Sequence, residues 1–212
     1  MVICHGLFGL WKRRTWLGAL IEPRNSLAVQ RKGFVGDVAH PLSAAAHRTA
    51  REEGDVDLSV VILAAGEGTR MKSDRPKVLH HLAGRPLVAY ALDTARELTE
   101  RPPVLIVGHG AEKVTEVAGD DVMSVTQSQQ LGTGHAVLQA RETLVDQADL
   151  ILVTYADMPL LTAETLGRLV DVAGRRPAPI AMLTLVRENP RGFGRVIRDD
   201  DGKVLEVVEE AV

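Results

Sequence analysis

Leu58-Ser59-Val60-Val61-Ile62-Leu63-Ala64-Ala65-Gly66-Glu67-Gly68-Thr69-Arg70-Met71, followed closely by Pro76-Lys77, is the stretch that decides how this chain folds. Its first half is a run of aliphatics (Leu58, Val60, Val61, Ile62, Leu63), the pattern of a buried strand. The run feeds straight into a turn whose two glycines let the backbone bend and bring its N–H groups close to an anion. Arg70 and Lys77 add two positive charges to the same loop. Strand, glycine turn, Arg and Lys together describe a pocket for a nucleoside triphosphate. The plainer alternative is a tight strand-to-helix turn whose cations face solvent. The dinucleotide fingerprint is excluded, because no G-x-G-x-x-G opens a helix here, and so is Walker A, because no Gly-Lys-Ser/Thr follows.

Outward from this turn, strands and helices alternate. Residues 86–98 have helical spacing, with Leu87, Val88, Ala91, Leu92 and Ala95 on one face and Pro86 suited to the first turn. A strand at 103–107, a short helix at 111–117 and a strand at 122–126 follow. Residues 134–144 have helical spacing, and 150–153 read as another buried strand that ends at Tyr155-Ala156-Asp157. A helix at 163–172 has Thr162 placed as its N-cap, and 180–186 reads as one strand. Residues 193–198 and 204–208 pattern as a hairpin around Asp201-Gly202. The expected fold is therefore α/β: a Rossmann-like three-layer α/β/α arrangement, its mainly parallel sheet joined by an antiparallel hairpin, with a ligand at the carboxyl ends of the strands.

Composition narrows the class of function. The 212 residues are 45% hydrophobic and 25% charged, an ordinary globular mixture long enough for one full domain and an appendage. Residues 1–53 hold 8 Lys/Arg against 4 Asp/Glu, leaving 17 against 24 for the remainder. An acidic body of this kind argues against nucleic-acid binding, which needs a broad basic surface. Cys4 is the only cysteine, which excludes an internal disulfide and fits a reducing compartment. No apolar run reaches membrane-spanning length, and the stretch after Lys12-Arg13-Arg14 is short for a signal peptide. A cytoplasmic protein is expected. Residues 1–57 carry no motif and no sustained period, and are expected to be a loosely ordered extension.

Three more clusters carry chemistry. Gln127-Ser128-Gln129-Gln130-Leu131-Gly132-Thr133-Gly134-His135-Ala136 follows a strand and opens a helix. A glutamine amide sets a donor beside an acceptor and can match a pyrimidine edge, while Gly132 lets a base lie against the backbone. A polar helix entry with a solvated His135 is the alternative, and His135 itself reads as structural. Asp157 stands at a strand end, where a carboxylate beside a triphosphate is a natural Mg²⁺ ligand, or else an N-cap or loop residue. The segment 189–198, with Val207-Val208-Glu209-Glu210, reads on its own as a glycine-punctuated hairpin.

In these strings the chain resembles the sugar-phosphate nucleotidyltransferase superfamily. Gln130-Leu131-Gly132-Thr133-Gly134-His135-Ala136 is similar to the uracil-reading segment of the N-acetylglucosamine-1-phosphate uridyltransferases. The resemblance runs from Leu58 to Val212, with the motifs in the family's order. It implies a loop of Leu63, Ala64, Ala65, Gly66, Gly68 and Thr69 around UTP, with Arg70 facing the departing pyrophosphate and Lys77 on the phosphates. It implies Gln127, Gln130, Gly132 and Thr133 at the base, Asp157 on Mg²⁺, and Gly194 and Glu209 at the sugar. Phe193 stands where the family commonly has Tyr, and Ala156 where it usually has Gly; the added methyl of Ala156 is expected to crowd the ribose.

The implied reaction is uridylyl transfer from UTP to N-acetylglucosamine-1-phosphate, giving UDP-N-acetylglucosamine for the cell wall. The full-length family implies a homo-oligomer, a trimer. Two asparagines that the family supplies to the sugar and to Mg²⁺ come from segments later than Val212, as does the left-handed β-helix that acetylates glucosamine-1-phosphate. Weak or no uridylyl transfer is therefore expected unless another chain completes the site. The rival readings are a molybdenum-cofactor guanylyltransferase, another sugar-phosphate uridylyltransferase and a non-catalytic nucleotide-binding module. A dinucleotide oxidoreductase is disfavoured, because Gly108-His109-Gly110 stands where an acidic ribose anchor is needed.

Overall fold

A computed structural model describes residues 2–4, 9–12, 56–68, 71–145, 148–175, 180–189 and 191–208. In chain order the strands are β1 (Val2–Cys4), β2 (Gly9–Lys12), β3 (Leu58–Ala64), β4 (His81–Leu82), β5 (Arg85–Pro86), β6 (Val104–Val107), β7 (Met123–Thr126), β8 (Leu150–Tyr155), β9 (Ile180–Met182), β10 (Leu185–Val186), β11 (Gly194–Arg198) and β12 (Val204–Val208). The α-helices are α1 (Leu87–Leu98), α2 (Ala111–Ala118), α3 (Thr133–Gln139), α4 (Arg141–Leu144) and α5 (Ala163–Arg175).

The main sheet has the order β7-β6-β3-β8-β2-β9, and its four strands from β7 to β8 run parallel. β3 sits between β6 and β8, with Ile62 opposite Leu105 on one side and Thr154 on the other. Every residue of β3 is buried. Alternation then divides its side chains between two cores. Leu58, Val60, Ile62 and Ala64 pack with Val88, Ala91, Leu92 and Ala95 of α1, Val114 of α2, and Leu166 and Leu169 of α5. Val61 and Leu63 pack on the opposite face with Ala136, Val137, Ala140 and Leu144 of α3 and α4. Helices cover both faces of the sheet, and the expected three-layer α/β arrangement is what these residues build.

The caps follow local chemistry. α1 enters through Pro86, whose backbone is extended, and stops at Thr99, also extended, ahead of Pro102-Pro103. The Thr162 hydroxyl accepts the Thr165 N–H at 3.3 Å, which caps α5 as the sequence suggests. No helix among the described residues is long and apolar enough to cross a membrane.

Three features differ from the sequence reading. The helix expected over 134–144 is two pieces: the Ala140 N–H turns back to the Val137 carbonyl at 3.1 Å, and the tightened turn leaves Ala140 with no exposed surface. The strand expected over 180–186 also divides. β9 pairs with β2 in the main sheet, whereas β10 pairs with β1 in a second sheet of order β10-β1-β11-β12. The expected antiparallel β11–β12 hairpin forms, and it lies in that second sheet. Finally, β1 and β2 both lie within the segment assigned to an N-terminal extension, and β2 runs antiparallel between β8 and β9. The rest of that segment up to residue 55 lies outside the described residues.

Ile62 has no exposed surface, so Ile62→Ala removes core methyl groups from the middle of the sheet. Urea denaturation should show a loss of about 2–5 kcal/mol of unfolding free energy. Leu205→Ala, on β12 where Leu205 is 61% exposed, should change it by less than about 0.5 kcal/mol.

Candidate active site

The parallel strands deliver their carboxyl ends to one edge of the sheet, and the loops leaving β3, β7 and β8 meet there around a cavity of about 420 Å³. Its wall includes Leu63, Ala64, Ala65, Gly66 and Gly68 from the first loop, and Lys77 from the short 3-10 turn that follows it. Gln127, Gln130, Gly132 and Thr133 come from the β7–α3 loop, and Asp157 from the end of β8. Residues far apart in sequence thus converge because their loops leave neighbouring strand ends.

The first loop and the lysine are fitted to one another by glycine. Gly68 has φ +64°, and a Cβ there would lie 2.6 Å from the Lys77 Cβ. Gly110, at φ +70°, lets the Pro76 ring approach to where its own Cβ would sit, at 2.5 Å from Pro76 Cγ. The Pro76-Lys77 pair is therefore clasped between two glycines, and its lysine is set at the cavity rather than in open solvent. Lys77 Nζ donates to Asp157 Oδ2 at 2.5 Å, with both side chains about one-third exposed. A second tie joins the two loops: Gln130 Nε2 donates to the Ala65 carbonyl at 2.9 Å.

Gln127 is almost wholly buried, and its Nε2 lies 3.2 Å from the Gly132 carbonyl and 3.0 Å from His135 Nδ1. Gly132, at φ +98°, turns the chain into α3 and places its carbonyl to accept the Ala136 N–H at 3.1 Å. Among the described residues, the cavity wall carries one ammonium, one carboxylate, two amides and the hydroxyl-bearing side chains of Thr133 and Tyr155. That inventory suits an anionic, polar ligand.

Other expected residues are placed differently. Thr69, Arg70 and Glu209 lie outside the described residues. Gly194 lies in β11, opposite Cys4, and is not part of the cavity wall. Ala156 corrects one expectation: it has no exposed surface and its methyl packs into the core with Leu152 and Leu166, away from the cavity. It cannot crowd a ligand there. Met71, Val78, Ala136 and Tyr155 also line the cavity. Val78 and Tyr155 were missed, although Tyr155 sits two residues before Asp157 at the end of the same strand.

Among the described residues no group of three or more His, Cys, Asp or Glu side chains is clustered to hold a metal by protein ligands alone. A single carboxylate at a strand end fits Mg²⁺, which keeps most of its shell for phosphate oxygens and water.

Residues 60–199 match the family described as the MobA-like NTP transferase domain. A bifunctional protein GlmU of Paraburkholderia phymatum is 52% identical over 154 residues, covering 72% of this chain and 33% of that protein. One from Stutzerimonas stutzeri is 48% identical over 155 residues, covering 73% of this chain and 33% of its own length. The chain thus spans about a third of the length of the curated relatives it matches. The crystal structure of an Rv0371c homologue from Mycobacterium sp. strain JC1 superposes with a TM-score of 0.50 at 25% identity, covering 62% of this chain and 70% of that one.

The Gly68–Lys77 contact is testable by substitution. Gly68→Ala adds a methyl at a positive φ and into the Lys77 stem, and should cost about 1–2 kcal/mol in urea denaturation. Gly66→Ala, whose added methyl meets nothing within 4 Å, should cost less than half as much.

Proposed function

This chain belongs to the MobA-like NTP transferase domain family, and from that premise we propose that it transfers a uridylyl group from UTP to N-acetylglucosamine-1-phosphate. The observation that carries this reading is the half-identical match to bifunctional GlmU proteins, which runs through the same strings that resemble the N-acetylglucosamine-1-phosphate uridyltransferases. Residues 58–212 are assigned to the nucleotidyltransferase domain and 1–57 to an extension, whose strand β2 is added to that domain's sheet.

A phosphate oxygen of the sugar-1-phosphate attacks the α-phosphorus of UTP. The new P–O bond forms as the bond to the β-phosphate breaks, and pyrophosphate leaves with that electron pair. Attack brings two anions together and adds charge to the leaving group, so positioning and neutralisation do most of the catalysis. In this reading the N–H groups of the loop through Ala65, Gly66 and Gly68 bind the triphosphate, with Thr69, and Arg70 faces the leaving pyrophosphate. Lys77 neutralises the α-phosphate and the incoming phosphate. Gln127, Gln130, Gly132 and Thr133 hold the uracil, and Gly194 and Glu209 the sugar. Asp157 would hold Mg²⁺, which supplies further neutralisation of the phosphates when bound. A cytoplasmic location is part of this reading.

Free of ligand, Lys77 and Asp157 satisfy one another. A nucleotide arriving without metal must compete with the carboxylate for the ammonium, and repulsion between Asp157 and phosphate adds to the penalty. Metal and nucleotide arriving together separate the two side chains, giving each a partner of opposite charge.

The family's description admits a guanylyl donor as the second reading, so a nucleotide panel decides. Pyrophosphate release measured with N-acetylglucosamine-1-phosphate and Mg²⁺ should be fastest with UTP. Preference for GTP, or release that ignores the sugar phosphate, would overturn the proposal. Lys77→Ala should lower kcat by about 10²-fold or more. Asp157→Asn should bind UTP more tightly than the parent in EDTA, by calorimetry, and gain little affinity on adding Mg²⁺.

A further inference from the structure

His135 reads in the sequence as a structural residue of a helix opening, yet in the structure it touches the one buried amide of the cavity wall. Gln127 leaves β7 with its backbone N–H donating to the Val107 carbonyl at 2.8 Å, and its side chain is 5% exposed. Both amide hydrogens are engaged, one toward the Gly132 carbonyl and one toward His135 Nδ1. A carbonyl only accepts, so the amide cannot exchange its NH₂ and its oxygen without losing the Gly132 bond. The other hydrogen then needs an acceptor at His135 Nδ1. A neutral imidazole carries a single N–H, which places that proton on Nε2, 3.2 Å from the Gln139 amide nitrogen. Gln139 Nε2 also donates to the His135 carbonyl at 3.2 Å, but on the partly exposed side of α3 water can take over that bond when the amide turns its oxygen to receive the proton. Gln127 has no such freedom. Its Oε1 takes no hydrogen bond from any described residue, so the polar atom it has left to offer is an acceptor.

We infer that His135, held as the Nε2–H tautomer, is a positioning residue that fixes Gln127 with its amide oxygen available to the nucleobase, so that the cavity selects a pyrimidine carrying a ring N–H. The inference rests on the uridylyl-transfer reading and adds the source of its base discrimination. Uracil presents N3–H to that oxygen. Cytosine presents a bare N3, lone pair to lone pair, and leaves a buried acceptor unmatched.

UTP and CTP share size, sugar and phosphates, so their ratio of dissociation constants isolates this contact. The test measures UTP, CTP and tripolyphosphate binding with Mg²⁺ to the parent chain and to His135→Ala, His135→Asn and His135→Gln. Asparagine sets its amide oxygen where imidazole carries Nδ1, whereas glutamine reaches the Nε2 position instead. The preference for UTP should fall about five-fold or more in His135→Ala and His135→Gln, and stay within about two-fold of the parent in His135→Asn. Tripolyphosphate should bind all four alike.

A UTP preference kept intact in both the Ala and Gln variants overturns the inference and leaves uridylyl transfer standing. A parent chain that binds tripolyphosphate but treats UTP and CTP equally overturns both the inference and the uracil specificity. A parent chain that binds neither nucleotide overturns the enzymatic reading itself. Should the substitutions unfold the chain, imidazole ¹⁵N spectra of the parent decide: a bare Nδ1 with protonated Nε2 supports the inference, and the opposite tautomer sinks it.

Discussion

A strand buried on both faces and flanked on both sides by parallel neighbours has no freedom of register, and β3 is such a strand. Shifting it by one residue would exchange its two sets of side chains between cores of different shape. Its hydrogen bonds to β6 and β8 would move with them. The end of β3 is therefore fixed in space, and with it the start of the glycine turn. Everything polar in the cavity is positioned relative to that point: Gln130 ties to the Ala65 carbonyl, Lys77 packs on Gly68, and Asp157 emerges from the adjacent strand. The apolar interior thus sets the geometry of a polar site by fixing where three loops begin.

The site itself is organised around a pair of opposite charges. Lys77 and Asp157 carry opposite charge, so one can draw an anion and the other a cation. Left alone they neutralise one another at 2.5 Å, which keeps an isolated charge from standing half-buried without compensation. In the proposed reaction a metal–nucleotide pair would offer the same neutralisation in another arrangement.

What could be read from the residues alone followed from how local the cause was. β3, its glycine turn, α1 and α5 were legible because aliphatic periodicity, Pro86 and Thr162 act within a few residues. The convergence of the β7–α3 loop and Asp157 on the first loop was legible from strand ends. The β4–β5 hairpin was not, since its turn is Ala83-Gly84 with φ of 48° and 82°, where Asn-Gly would have been the readable signal. The division of 180–186 depends on two strands from the far N-terminus, a distance no local pattern spans. His135 was legible as a residue but not as a partner of Gln127, because that contact depends on Gly132 turning the chain back on itself.

The place of β2 in the main sheet has a kinetic side. Parallel pairing of β3 with β6 and β8 draws on residues within one continuous half of the chain, whereas Leu10 must find Leu152 across about two-thirds of it. Loop-closure entropy makes such a distant contact the expensive one to form. Until it forms, β8 presents a bare ladder of N–H and C=O groups along one side, open to a strand from any neighbouring molecule. The order in which this sheet is completed therefore bears on whether a newly made chain closes on itself or joins another.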